Sequence, residues 1–189
     1  MQEKILKKVL PKFGGSGSEK LVDLLYDKQN VNECLIAKKM NMTINQTRNM
    51  LYKLADEGLI QFVRKKDKKK GGWYTYFWTL KTKRILQKYQ EELNTELEKL
   101  KQELHRRENE RFYYSPSIEL EYSEEEAMLN DFVCPETGEV LQLRDNSQLT
   151  EKIKIEIKKI EETLISLNSE IDQIEEKEQK TIVRKVKAE

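Results

Sequence analysis

The sequence predicts a mainly α protein with small β elements. In chain order these are a winged helix-turn-helix, a long linker helix, a zinc-free ribbon-like β-hairpin element and a C-terminal coiled-coil helix. Three observations predict it: capped helices precede two alternating strands, no helix breaker interrupts residues 81–110, and apolar residues repeat at heptad spacing after residue 146. The predicted domains are residues 1–80, 81–110, 111–145 and 146–180, followed by a tail at 181–189.

Charge divides the 189-residue chain into a basic front and an acidic back. Charged residues make up 37% of the sequence, and residues 1–80 carry a net charge of +8 while the remainder carries −7. This asymmetry predicts different partners for the two halves. The N-terminal segment has no apolar run long enough for a signal peptide or a membrane span. We therefore expect a cytoplasmic protein with no membrane partner, in which Cys34 is a small core residue.

The winged-helix prediction starts from helix caps. Ser18, Asn32 and Thr43 each precede a helical apolar periodicity, and Gln46 follows Thr43 at the spacing of a capping box. Gly58 is suited to the end of the helix that begins after Thr43. The alternating segments "LIQFVR" and "WYTYFWTL", joined by "KKDKKKGG", then predict a β-hairpin with a basic tip.

Two surfaces of this domain are candidates for contacts. The helix after Thr43 would show Asn45, Arg48 and Asn49 to a DNA groove, but it has few cations for neutralising phosphates. The wing combines cations and aromatic rings, which are typical of interfaces: Arg64, Lys65, Lys66, Lys68, Trp73, Tyr74, Tyr76 and Trp78.

Strand alternation divides the wing aromatics between two faces. Trp73 and Phe77 share one face, and Tyr74, Tyr76 and Trp78 share the other. One face can pack on the helices of the domain. The other face either covers the following helix or is partly exposed as a contact surface.

Two long helices are predicted in the acidic half, each with an apolar seam. The first seam is formed by Leu86, Tyr89, Leu93, Leu97, Leu100 and Leu104, and the second by Ile153, Ile157, Ile160, Leu164, Leu167, Ile171 and Ile174. The seams could meet antiparallel within one chain, with residues 111–145 at the turn, or between two chains. Intrachain pairing is favoured because it requires no second protein. His105 is expected to be solvated.

The segment between these helices has the outline of a zinc ribbon without its ligands. Residues 134–138, "CPETG", have the spacing of a C-P-x-C-G knuckle with Thr137 at the second cysteine position. Residues 115–118, "SPSI", have the spacing of a C-P-x-C knuckle without either cysteine. A tetrahedral zinc site needs four Cys or His ligands, so we expect no zinc and no other cofactor. Aromatic and aliphatic residues, with Ile118 among them, are expected to form a core instead.

These motifs together resemble archaeal transcription factor E, the counterpart of the α subunit of eukaryotic TFIIE. The resemblance is carried by "LYKLADEGLI" leading to "GGWYTYFW", by the long helix, by "YSEEEAMLNDFVCPETGEVL" and by "DNSQ". In this resemblance the four zinc ligands of the family correspond to Ser115, Ile118, Cys134 and Thr137, of which only Cys134 is retained.

The resemblance implies a general transcription initiation factor without enzymatic activity. Such a factor binds the clamp and stalk of RNA polymerase and assists promoter opening, with the wing near the upstream edge of the DNA bubble, and the resemblance leaves open a β-type partner subunit. No phosphate-binding loop or nucleophile–histidine arrangement points to an enzyme. Two other interpretations remain: a sequence-specific winged-helix repressor that dimerises through its coiled coil, and a structural coiled-coil adaptor.

Overall fold

The computed structural model describes residues 2–66 and 74–186. Within these ranges the chain forms seven helices and six short strands. In chain order they are α1 Gln2–Gly14, α2 Lys20–Leu25, β1 Val31–Asn32, α3 Glu33–Met40, α4 Ile44–Asp56, β2 Ile60–Lys66, β3 Tyr74–Leu80, α5 Thr82–Asn109, β4 Phe112–Tyr114, β5 Glu121–Ser123, α6 Glu124–Leu129, β6 Gln142–Leu143 and α7 Ser147–Val186. The predicted fold class, mainly α with small β elements, is confirmed.

The chain divides into two compact units. The first unit contains residues 1–91 and 167–189, and the second contains residues 92–166. The boundary falls within α5 and α7, because the two ends of each helix make their contacts with different elements. The division into four domains at residues 1–80, 81–110, 111–145 and 146–180 stays a prediction.

Local capping signals set the helices of the first unit. The Asn32 side chain accepts a hydrogen bond from the backbone N–H of Cys34, and Thr43 and Gln46 form the predicted capping box at the start of α4. Gly58 adopts a φ of +71°, and the Leu59 N–H donates to the Leu54 carbonyl at 2.9 Å. This pattern is a Schellman motif, and it ends α4 at Gly58, the residue predicted to end the helix.

Two predictions about the first unit were wrong. Ser18 does not cap α2: its side chain is buried and donates a hydrogen bond to the Gly15 carbonyl at 2.7 Å, so it closes the turn before α2. Cys34 is exposed. It lies in the first turn of α3, outside the buried stripe formed by Glu33, Ile36, Ala37 and Met40.

The wing belongs to a three-stranded antiparallel sheet of order β1-β3-β2. Phe62 of β2 is directly opposite Trp78 of β3, and Arg64 is opposite Tyr76. Trp78 is fully buried in the core of the unit. The base of the wing is therefore anchored in the core, while β2 beyond Ile60 is exposed.

Helices α5 and α7 pair antiparallel within the chain. In the first unit, Lys83 Nζ lies 3.0 Å from Glu175 Oε1. In the second unit, Lys101 Nζ lies 3.0 Å from Glu161 Oε1. The predicted seam residues are buried or half-buried, and His105 is exposed as predicted. Helix α7 continues to Val186, past the predicted end at residue 180, because no residue there breaks a helix.

The ribbon-like segment is more elaborate than the predicted hairpin. It forms a sheet of order β5-β4-β6, with the short α6 inserted between β5 and β6. Ala127, Cys134 and Leu141 form its buried core. Ile118 is 43% exposed, so its predicted place in the core was wrong; it lies in the turn between β4 and β5. Helix α6 begins at a capping box of Ser123 and Glu126, and the sequence "SEEE" at residues 123–126 has the spacing that this motif needs.

None of the helices within residues 2–66 and 74–186 combines the length and the apolarity needed to cross a bilayer.

Candidate functional site

Four aromatic rings form a continuous cluster between α4 and the wing. This aromatic cluster consists of Tyr52, Phe62, Tyr76 and Trp78, with ring centroids 5.0 to 6.4 Å apart. Trp78 lies at its buried end, whereas Tyr52 and Phe62 are 36% and 42% exposed. Sequence reasoning missed both of these residues. The alternation in "LIQFVR" indicated that Phe62 lies on one face of a strand, and the register, which pairs Phe62 with Trp78, places it on the face that carries Trp78.

The structure shows where one of the two predicted faces of the wing lies. The face with Tyr74, Tyr76 and Trp78 packs on α4 at its base and becomes exposed toward its tip, where Tyr74 is 44% exposed. Trp78 was predicted as a contact residue, and this is corrected because the residue is fully buried. Lys68 and Trp73 lie outside the residues that the structure describes.

Cations lie over several wing aromatics. The Arg64 guanidinium is 5.0 Å from the centre of the Tyr74 ring, and Lys65 Nζ is 5.3 Å from that of Phe77. Arg64, Lys65 and Lys66 are all exposed. Because the cation and ring of each pair come from neighbouring strands, the sheet register itself holds the pairs together.

The candidate DNA-contact residues on α4 differ in their surroundings. Asn45 and Asn49 are exposed. Arg48 donates two hydrogen bonds to the buried Glu33 carboxylate and lies over the Tyr76 ring at 5.5 Å. The hydrogen bonds to Glu33 raise the pKa of Arg48. Arg48 is thus bound to Glu33 within the domain. Helix α4 therefore has even fewer cations available to neutralise DNA phosphates than the sequence indicated.

Three of the four ribbon positions that correspond to zinc ligands come together. Ser115 Oγ lies 3.3 Å from Thr137 Oγ1, and Cys134 is buried beside them. Hydrogen bonds from Thr137 and Tyr122 lower the pKa of the Cys134 thiol to about 7. The same contact with Cys134 raises the pKa of Tyr122 to about 12.

This donor set does not fit zinc. One thiol and two hydroxyl groups stand where four thiolates or imidazoles would be needed, and Ile118 offers no donor atom. Among the residues that the structure describes, no three His, Cys, Asp or Glu side chains are grouped as they would be to hold a metal ion.

Comparison with known proteins gives the family. A model of the TFIIE alpha subunit family matches residues 4–109. The chain is 35% identical to transcription factor E of Metallosphaera sedula, over 75% of this chain and 80% of that protein. It is 32% identical to transcription factor E of Methanobrevibacter smithii, over 80% of this chain and 87% of that protein. The transcription factor E of Pyrococcus abyssi is 35% identical over 88% and 86%, respectively.

The chain belongs to the transcription factor E family. Membership makes it a transcription initiation factor that works with the transcription machinery, and it is not an enzyme. The family model covers α1 from residue 4, α2 to α4, the two wing strands and all of α5, and it ends before the ribbon.

Proposed function

We propose that this chain binds the clamp and stalk of RNA polymerase and assists the opening of promoter DNA. In this proposal the tip of the wing contacts the polymerase, or the DNA near the upstream edge of the bubble. The observation that carries the proposal is the arrangement of the wing, which has Trp78 buried at its base while Arg64, Lys65, Lys66 and Tyr74 are exposed beyond it.

This arrangement suits a contact surface for two physical reasons. The buried base and the aromatic cluster hold the strands in place, so little conformational entropy is lost when the exposed residues bind. Tyr74 supplies apolar area with few rotatable bonds, and the neighbouring cations supply attraction to acidic protein surfaces or phosphates. The net charge of +8 in residues 1–80 acts in the same direction.

A repressor that dimerises through its coiled coil is less well supported. The apolar seams of α5 and α7 are already buried within one chain, so they do not offer a free dimerisation surface. Arg48, the cation best placed to approach a DNA groove, is held by Glu33. Both observations favour a factor that is recruited by a protein partner over one that reads a palindrome.

The experiment compares wing variants in polymerase binding and in promoter opening. The charge variant carries Ala at Arg64, Lys65 and Lys66, and the aromatic variant is Tyr74→Ala. We expect the charge variant to weaken binding to archaeal RNA polymerase mainly at low salt, because exposed charges are screened. Tyr74→Ala should cost roughly 1–3 kcal/mol of binding at any salt concentration if the residue is an interface anchor. Permanganate reactivity on a weak promoter should fall in both variants.

A matched control removes three exposed cations elsewhere in the same unit, at Lys20, Lys38 and Lys39. It has the same net charge as the charge variant and should keep full activity. Polymerase lacking its stalk should bind the parent protein less tightly. The proposal is wrong if the wing variants stimulate opening as well as the parent, while Ala at Asn45 and Asn49 abolishes it.

A further inference from the structure

A carboxylate joins the two knuckles of the ribbon. The first knuckle is residues 115–118, the second is residues 134–138, and Glu139 directly follows the second. Glu139 Oε2 accepts a hydrogen bond from Ser115 Oγ at 3.1 Å, and the Ser117 hydroxyl donates to Glu139 Oε1. The Ser117 backbone N–H is 3.4 Å from Glu139 Oε2. All three donors come from the first knuckle.

The second knuckle is shaped so that it brings this carboxylate into position. The Cys134 N–H donates to the Glu139 carbonyl at 2.7 Å, and the Gly138 N–H donates to the Cys134 carbonyl at 2.8 Å. Thr137 Oγ1 lies 3.3 Å from Ser115 Oγ and provides a second link between the knuckles. Ser115 is fully buried and Glu139 is half-buried, so at least one of these contacts is shielded from water.

We propose that Glu139 is an internal anionic clamp that holds the two knuckles together in the place of a metal ion. A zinc ion joins knuckles because it is a cation surrounded by deprotonated ligands. In this chain the first knuckle offers hydroxyl and N–H donors, and their hydrogen bonds are strengthened when the acceptor between them is an anion. The serine at cysteine position 115 and the carboxylate at position 139 therefore belong to one arrangement, in which an anion among hydrogen-bond donors takes the place of a cation among thiolates. This inference is independent of the proposed function of the wing.

Cys134 provides a direct readout of this clamp. Its sulfur is buried under the closed knuckles, whereas the other thiol, Cys34, is exposed. In a Cys34→Ser background, the rate of reaction with a disulfide reagent such as DTNB reports only on Cys134. We expect Glu139→Ala to raise this rate at least tenfold, and Glu139→Gln, which keeps one acceptor oxygen, to give a smaller increase.

The matched control is Glu136→Ala, which removes an exposed carboxylate from the second knuckle and should leave the rate unchanged. Circular dichroism at 222 nm should remain at the parent value, since α5 and α7 carry most of the helical signal. If Glu139→Ala loses this signal, Ser117→Ala removes a single donor and is judged by the same criterion. The proposal is overturned if Cys134 reacts with DTNB at the same rate in Glu139→Ala as in the control. If Ser117→Ala is used in place of Glu139→Ala, equal rates in Ser117→Ala and the control overturn it.

Metal provides the complementary test. A chelator should leave the parent protein's Cys134 reactivity and melting temperature unchanged. A variant with cysteines at Ser115, Ile118 and Thr137 should bind one zinc per chain, measured by elemental analysis. Glu139→Ala should accelerate hydrogen exchange at the Cys134 and Gly138 amides of the parent protein, but it should not do so in the zinc-loaded variant. One tightly held zinc in the parent protein, or continued sensitivity to Glu139→Ala in the zinc-loaded variant, contradicts the clamp.

Discussion

Arg48 on α4 is bound to Glu33 at the start of α3 through two hydrogen bonds. Arg48 Nε donates to Glu33 Oε2 at 2.9 Å, and a terminal nitrogen donates to Oε1 at 2.6 Å. The Glu33 side chain is only 4% exposed. A residue that the sequence suggested as a DNA contact thus holds two helices of the winged helix together.

Replacing Arg48 with Ala should destabilise the first unit. The change leaves the Glu33 carboxylate buried without its partner, and we expect a loss of roughly 2–4 kcal/mol in the free energy of unfolding. Urea unfolding measures this value directly. The control Asn49→Ala removes an exposed neighbour and should stay within about 0.5 kcal/mol of the parent.

A double-mutant cycle with Glu33→Ala separates the pair from its surroundings. The double variant should be less destabilised than the sum of the single variants. Each single variant leaves one charge without its partner, whereas the double variant removes both charges. Additive effects would show that the two side chains do not stabilise one another.

The antiparallel pairing of α5 and α7 should be visible by zero-length crosslinking. A carbodiimide joins amines to carboxylates that are already in contact, so we expect amide links between Lys101 and Glu161 and between Lys154 and Glu108. In an equal mixture of ¹⁴N- and ¹⁵N-labelled protein, mass spectrometry should find both links within single chains. Glu161→Gln should remove the first link and keep the second. Links only between differently labelled chains would show that the seam is a dimer interface.

Acid should weaken the second unit through Glu121. Hydrogen bonds from Arg107 lower the pKa of the Glu121 carboxyl below its ordinary value of 4.5. The ionised carboxylate therefore stabilises the folded state fully above about pH 4.5, and this contribution is lost as the pH falls through the lowered pKa. Glu121→Gln should cost roughly 1–3 kcal/mol at pH 7. Urea unfolding from pH 7 to pH 3 should show the gap between parent and variant closing only at the acidic end.

The control for this pH dependence is Glu125→Gln, an exposed position on α6. Its unfolding curve should follow that of the parent at every pH. A gap between parent and Glu121→Gln that stays constant down to pH 3 would mean that the Arg107 contact does not depend on the charge of Glu121.

Local signals in the sequence were sufficient for the elements that depend on near neighbours. The caps at Asn32 and Thr43 and the stop at Gly58 were predicted because their hydrogen bonds form within a few residues of the chain. The heptad repeat likewise predicted α7, since each turn presents the same apolar stripe. Ser18 was misassigned because its hydroxyl bonds the preceding turn, and nothing in the local sequence distinguishes that turn from a cap.

The sequence by itself therefore determined the fold class, the long helices and the loss of the zinc ligands, which are properties of residue type and spacing. Only the tertiary structure decided which groups meet across the chain. It buried Trp78, tied Arg48 to Glu33 and brought Glu139 to Ser115, across 24 residues of sequence. The physical reason is that such contacts depend on how whole elements pack, and periodicity within one element carries no information about the side chain that another element places opposite.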